Sequence, residues 1–140
     1  MVRKMRPAEV DAVADIWLET NIEAHSFVPE RYWRDHFEAV KGLLAQAELY
    51  VFEGKAGVQG FIGLDAGYIA GLFVKSGARA GGIGKKLLDY AKSGRSRLTL
   101  RVYQKNAGAV RFYQREGFTV QEEPVDESTG EPEYFMLWER

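Results

Sequence analysis

Arg79 and the glycines at 81, 82 and 84 stand between an apolar run, residues 69–74, and a helix-period run that ends near Ser93. A strand, a glycine turn and a helix N-terminus together make an anion site. Glycine lets the backbone come close, and the unpaired N–H groups of the first helical turn point at the ligand. Arg79 adds fixed positive charge, so a phosphate-bearing small molecule is the natural occupant. The spacing excludes two common phosphate loops. A Walker A loop needs a glycine where Arg79 stands and Ser or Thr where Lys86 stands. A dinucleotide-binding loop needs a third glycine where Leu87 stands. The pattern met is Arg79-x-x-Gly82-x-Gly84.

A second block follows at Asn106, Ala109, Phe112, Tyr113, Gly117 and Phe118. Asn106 is a natural helix cap, and Tyr113 carries a phenol of pKa about 10. Together the two blocks resemble the Gcn5-related N-acetyltransferase (GNAT) family, over essentially the whole chain. The segment 130–138 is similar to small bacterial members acting on peptidyl lysine. The first block departs from the commonest form: Ser76-Gly77 replaces a proline region, and Ala80 stands where glycine is usual.

The resemblance implies a mixed α/β GNAT fold, a mostly antiparallel sheet of about seven strands flanked by about four helices. It implies acetyl-CoA as co-substrate and no metal. The pantetheine arm would pair with Leu72, Phe73 and Val74. The pyrophosphate would rest on the turn formed by Arg79, Ala80, Gly81, Gly82, Ile83, Gly84 and Lys85. Asn106 would contact pantetheine, and Tyr113 would lie near the sulfur as the catalytic acid. A homodimer is admitted by the same resemblance.

The chemistry implied is direct acetyl transfer to a primary amine, either a small molecule or a protein lysine or N-terminus. The leaving thiolate has a pKa of about 8.5, and a phenol can hydrogen-bond it or give it a proton. The chain has no cysteine to carry an acyl group. An alkyl ammonium of pKa about 10.4 needs a base. Residues 68–74 hold no carboxylate, and Glu53 and Asp65 stand at strand ends. The base is therefore expected to be a water chain, or His25 or Asp65 acting through water. His25, Phe27, Tyr32 and Tyr103 are expected walls of the acceptor pocket. Trp33 is a further candidate, although its helical spacing with Trp17 and Phe37 favours core. The missing strand carboxylate keeps a non-catalytic acyl-CoA sensor open, and a longer acyl donor such as succinyl-CoA also stays open. Lys85 and Lys86 open a helix, where positive charge is locally unfavourable, which favours phosphate contact. The acidic stretch 122–133 reads as a solvated hairpin that could attract a cationic acceptor.

These residues need elements to hold them. The pattern predicts a strand at 2–5, a helix begun by Pro7, a second begun by Pro29, and a hairpin over 49–52 and 58–64. A central strand at 68–74, apolar enough to be buried on both faces, comes next. The glycine turn and its helix follow, then a strand at 98–103, a helix capped by Asn106 and a strand pair at 118–121 and 134–138. One domain spans 1–140. A net charge of −1 argues against a nucleic-acid surface. No apolar run approaches the roughly 20 residues that span a bilayer, and residues 1–6 lack the apolar stretch of a signal peptide. The expectation is a soluble cytoplasmic protein.

Overall fold

The computed structural model describes residues 1–78 and 81–140. The site assignments to Arg79 and Ala80 lie outside them. Seven strands form one sheet in the order β1-β2-β3-β4-β5-β7-β6. These are β1 (Val2–Lys4), β2 (Glu48–Gly54), β3 (Gly57–Asp65), β4 (Tyr68–Val74), β5 (Arg97–Tyr103), β6 (Thr119–Glu122) and β7 (Glu133–Glu139). The helices are α1 (Val10–Ala24), α2 (Glu30–Gln46), α3 (Ile83–Lys92) and α4 (Ala107–Arg115). Every neighbouring pair is antiparallel except β4 with β5. The expected mixed α/β architecture is the one observed.

Alternation along each strand divides the apolar residues between two layers. Leu98, Leu100 and Val102 of β5 join Leu87 and Leu88 of α3, Phe118 and Met136 beneath α3 and α4. On the opposite face Val13 and Ile16 of α1 pack on Leu49, Val51 and Phe61. A third, smaller cluster joins Val28, Trp33 and Tyr103, with Phe27 and Tyr32 against it. Arg3 ties the N-terminal strand down through Glu9 at 2.6 Å and Glu53 at 3.0 Å. Glu53 is therefore a structural carboxylate. No helix among the described residues is long and apolar enough to cross a membrane.

The expectation for β4 needs one correction. Ile69 is its only fully buried residue, and residues 71–74 are half-buried. The reason is its short parallel pairing with β5, which covers only Tyr68↔Thr99 and Ile69↔Leu100. Beyond Ile69 the two strands diverge, and the apolar side chains of β4 line grooves.

Candidate active site

A β-bulge adjoins the divergence of β4 and β5. Gly63 of β3 faces Gly71, whereas Leu64 faces Ile69, so Ala70 is the extra residue. Such bulges re-aim a strand and are common beside active sites. At the strand's end the Lys75 N–H donates to the Gln59 carbonyl on β3 at 2.8 Å. Alternation then turns the N–H groups of Leu72 and Val74 toward the β5 side. The Leu72 and Val74 side chains pack with the α3/α4 layer. Phe73 points the other way, its ring centroid 5.2 Å from that of Phe61.

On the α3/α4 side a cavity of about 540 Å³ runs along β4. It is lined by Leu72, Val74, Gly82, Gly84, Lys85, Gly108, Phe112 and Tyr113. Gly82 takes the left-handed conformation (φ 71°, ψ 18°) just ahead of α3, and no side chain caps that helix. Gly81 precedes it at the end of a short 3₁₀ turn, Ser76–Gly81. Ile83 is buried and anchors the turn in the core. A Cβ placed on Gly82 or Gly108 would meet no protein atom within 4 Å. Lys85 is less available than its sequence position implies. Its ammonium lies 3.0 Å from Glu116 and 3.5 Å from Asp89, and the bond to Glu116 raises its pKa.

Tyr113 is buried at the inner end of this cavity. Burial alone pushes its phenol above the ordinary range. Across the sheet a smaller cavity of about 240 Å³ also reaches Tyr113. His25, Trp33, Arg101, Tyr103, Asn106 and Glu133 line it. Trp33 contributes a buried indole N–H with no hydrogen-bond partner among the described residues. Phe27 and Tyr32 do not line this cavity. They pack behind it, their rings 5.4 Å from Tyr103 and 4.9 Å from Trp33. Tyr103 donates its hydroxyl to Asp126 at 2.6 Å, fastening the acidic hairpin to β5. Its phenol is raised by burial first and by that bond second.

Along the wall of the smaller cavity runs a hydrogen-bond relay with one consistent direction. Asn21 Nδ2 donates to the Trp17 carbonyl at 2.8 Å, so its Oδ1 accepts from His25 Nδ1 at 3.1 Å. His25 Nε2 then accepts from Asn106 Nδ2 at 3.1 Å, and Asn106 Oδ1 accepts the Ala109 N–H at 3.2 Å. Burial pushes the imidazole pKa down to about 4. His25 is therefore neutral with both nitrogens engaged, and the bond from Asn106 to its Nε2 lone pair, not its charge, stands against its expected role as a base. His25 holds Asn106. Asp65 is exposed at the β3–β4 turn and does not line the Tyr113 cavities, so it does not meet the expectation either.

A family model of the acetyltransferase (GNAT) domain matches residues 45–120. The peptidyl-lysine N-acetyltransferase YiaC of Escherichia coli (strain K12) is 35% identical over 140 residues, 99% of this chain and 96% of YiaC. The chain belongs to the GNAT family. The solution structure of apo-form YjaB from Escherichia coli matches with a TM-score of 0.89 at 27% identity, covering 99% of this chain and 96% of YjaB. The structure of yncA from Salmonella typhimurium with its cofactor acetyl-CoA shares the fold, with a TM-score of 0.69 at 19% identity over 99% of this chain and 92% of yncA.

As a GNAT chain it is an acyl-CoA-dependent N-acetyltransferase, in line with the sequence resemblance. The structure brings Leu72, Val74, Gly82, Gly84, Lys85 and Tyr113 to one groove. It brings His25, Phe73, Tyr103 and Asn106 to the cavity behind it. Sequence reasoning missed Glu133, whose carboxylate lines that second cavity, and Arg101 beside it. The only sequence signal for Glu133 was its place at the end of an acidic hairpin. Among the described residues no group of three or more His, Asp or Glu is placed to hold a metal ion.

Proposed function

We propose that this GNAT chain transfers the acetyl group of acetyl-CoA to the ε-amine of protein lysines, with Tyr113 protonating the departing thiolate. The observation that carries this reading is the convergence of two cavities on Tyr113 from opposite faces of the sheet. The groove along β4 fits the donor. Its open glycines and the uncapped N-terminus of α3 suit a pyrophosphate. The edge of β4 at Leu72 suits the amides of pantetheine, and Asn106 Nδ2 retains a second hydrogen beyond the one given to His25. Bound there, acetyl-CoA supplies an activated thioester carbonyl.

A phenol is protonated at neutral pH and burial only raises its pKa further, so Tyr113 presents a donor where negative charge develops on sulfur. The opposite cavity suits a cation on an alkyl stem. Aromatic rings can hold the stem, and Glu133 and Asp126 supply negative charge. YiaC and YjaB are both named as peptidyl-lysine N-acetyltransferases, which supports a protein lysine over a small amine. The test is incubation with acetyl-CoA and a panel of lysine peptides, following free thiol and acetyl-lysine by mass spectrometry. Turnover on lysine is the expected result. Acetyl-CoA binding without acetyl-lysine on any peptide would reject the reading.

A further inference from the structure

We infer that Glu133 receives the acceptor's ammonium group and takes its first proton, an assignment that rests on the amine-transfer reading above. The register of β7 on β5 sets Glu133 opposite Tyr103, the last residue of β5. That places the carboxylate where β5 has left β4, on the acceptor side of the divergence. Its side chain is only 12% exposed, and it lines the same cavity as Leu72 and Tyr113.

A buried carboxylate calls for a cationic partner, and the one present is a poor match. Arg101 Nη1 stands 3.6 Å from Oε1, beyond the roughly 2.7–2.9 Å of a charge-assisted hydrogen bond. Arg101 is also half exposed, free to swing into solvent as a second cation arrives. The other groups acting with Glu133 are Tyr68 on β4, and Asp126, which Tyr103 of β5 holds in place. Burial and Asp126 raise the Glu133 pKa against the opposing pull of Arg101, which makes it a stronger base than a surface glutamate. His25 is already engaged on both nitrogens.

The protons balance as follows. The Glu133 carboxylate takes one proton from the ammonium and releases it to solvent. The neutral nitrogen's lone pair forms the N–C bond at the thioester carbonyl. Collapse breaks the C–S bond, and the sulfur takes a proton from Tyr113. The nitrogen's second proton is lost and the Tyr113 phenol is restored. Amide, free thiol and one solvent proton are the products.

The experiment uses Glu133→Gln and Glu133→Asp in the full chain, with three readouts. Calorimetry with acetyl-CoA should give a dissociation constant within about twofold of wild type, since Glu133 faces the other cavity. With a lysine peptide, Glu133→Gln should lower kcat/KM about 100-fold and lose the acid limb of the pH profile, while Glu133→Asp recovers part of the rate. NMR titration of the CoA complex with n-butylamine should show binding that Glu133→Gln abolishes. A Glu133→Gln enzyme within about threefold of the wild-type rate, its acid limb intact, overturns the assignment. So does a rate loss matched by an equal loss of acetyl-CoA affinity. A wild-type protein that binds n-butylamine through Glu133 but acetylates no lysine peptide overturns the proposed acceptor and leaves the ammonium site standing.

Discussion

Tyr113 is buried at a position that both cavities reach, and burial is what raises its pKa. Tyr113→Phe removes one oxygen and leaves the ring packing against Phe112 and Phe118. Turnover should fall about 100-fold with little change in acetyl-CoA affinity, because in the proposed mechanism the hydroxyl acts on the leaving sulfur alone. Stopped assays with thiol detection, beside calorimetry, separate the two; an unchanged kcat removes Tyr113 from the chemistry. His25 makes a different prediction, about stability. Its imidazole titrates near 6.5 when unfolded and near 4 when folded. The unfolded chain therefore binds the extra proton between those values. The contribution is fully present above pH 6.5 and is lost as pH falls toward 4, up to about 3 kcal/mol. Protonation would also set a donor against Asn106 Nδ2 and break the relay. Denaturant midpoints measured across that window should fall steeply for the wild type and more gently for His25→Gln. Parallel curves would show that another group sets the acid limb.

The α3 and α4 N-termini line the groove proposed for the donor with glycine for opposite reasons. Gly82 needs its left-handed φ of 71°. Gly108 lies in the first turn of α4, outside the positive-φ set, where a methyl group is tolerated. Neither Cβ would touch protein. Gly82→Ala should thus cost about 1 kcal/mol of stability, whereas Gly108→Ala should gain about 0.5 kcal/mol. Both should weaken acetyl-CoA about tenfold, because each methyl projects into the groove. Calorimetry and thermal melts would test the divergence; affinities that track stability would sink the shared-groove explanation. The same elements mark what was legible in the sequence. The glycine turn, the Asn106 cap and Tyr113 lie in local motifs whose spacing survives folding unchanged. Residues 71–74 read as a strand buried on both faces because an apolar groove wall selects the same residue types as a protein core. Glu133 was hidden because its place depends on β7 inserting between β5 and β6, a register that no local pattern encodes. The direction of the His25 relay was hidden for a like reason, since Asn106 lies 81 residues away from it.

At the scale of the whole molecule, the proposed reading sets the two substrates on opposite faces of the sheet. The groove proposed for the donor opens on the α3/α4 layer, and the cavity proposed for the acceptor is walled by Trp17 and Asn21 of α1 with Trp33 of α2. The two cavities meet where β4 and β5 part, at Leu72, Ala109 and Tyr113. Two molecules arriving from opposite faces need not exclude each other, so a ternary complex is sterically open. The alternative, a covalent acyl-enzyme, lacks a thiol because the chain has no cysteine. Initial-velocity plots against both substrates should therefore intersect, and parallel lines would require a nucleophile that the site does not present. Acetyl-CoA should also bind before any peptide is present, because its groove is built by strand, turn and helices without the acceptor. At about 100 times its dissociation constant it would add about 2.7 kcal/mol, a rise of roughly 8 °C in Tm for a chain of this size. A rise seen only after peptide is added would mean that the acceptor builds the donor groove, and the division of the two sites between the faces of the sheet would fail.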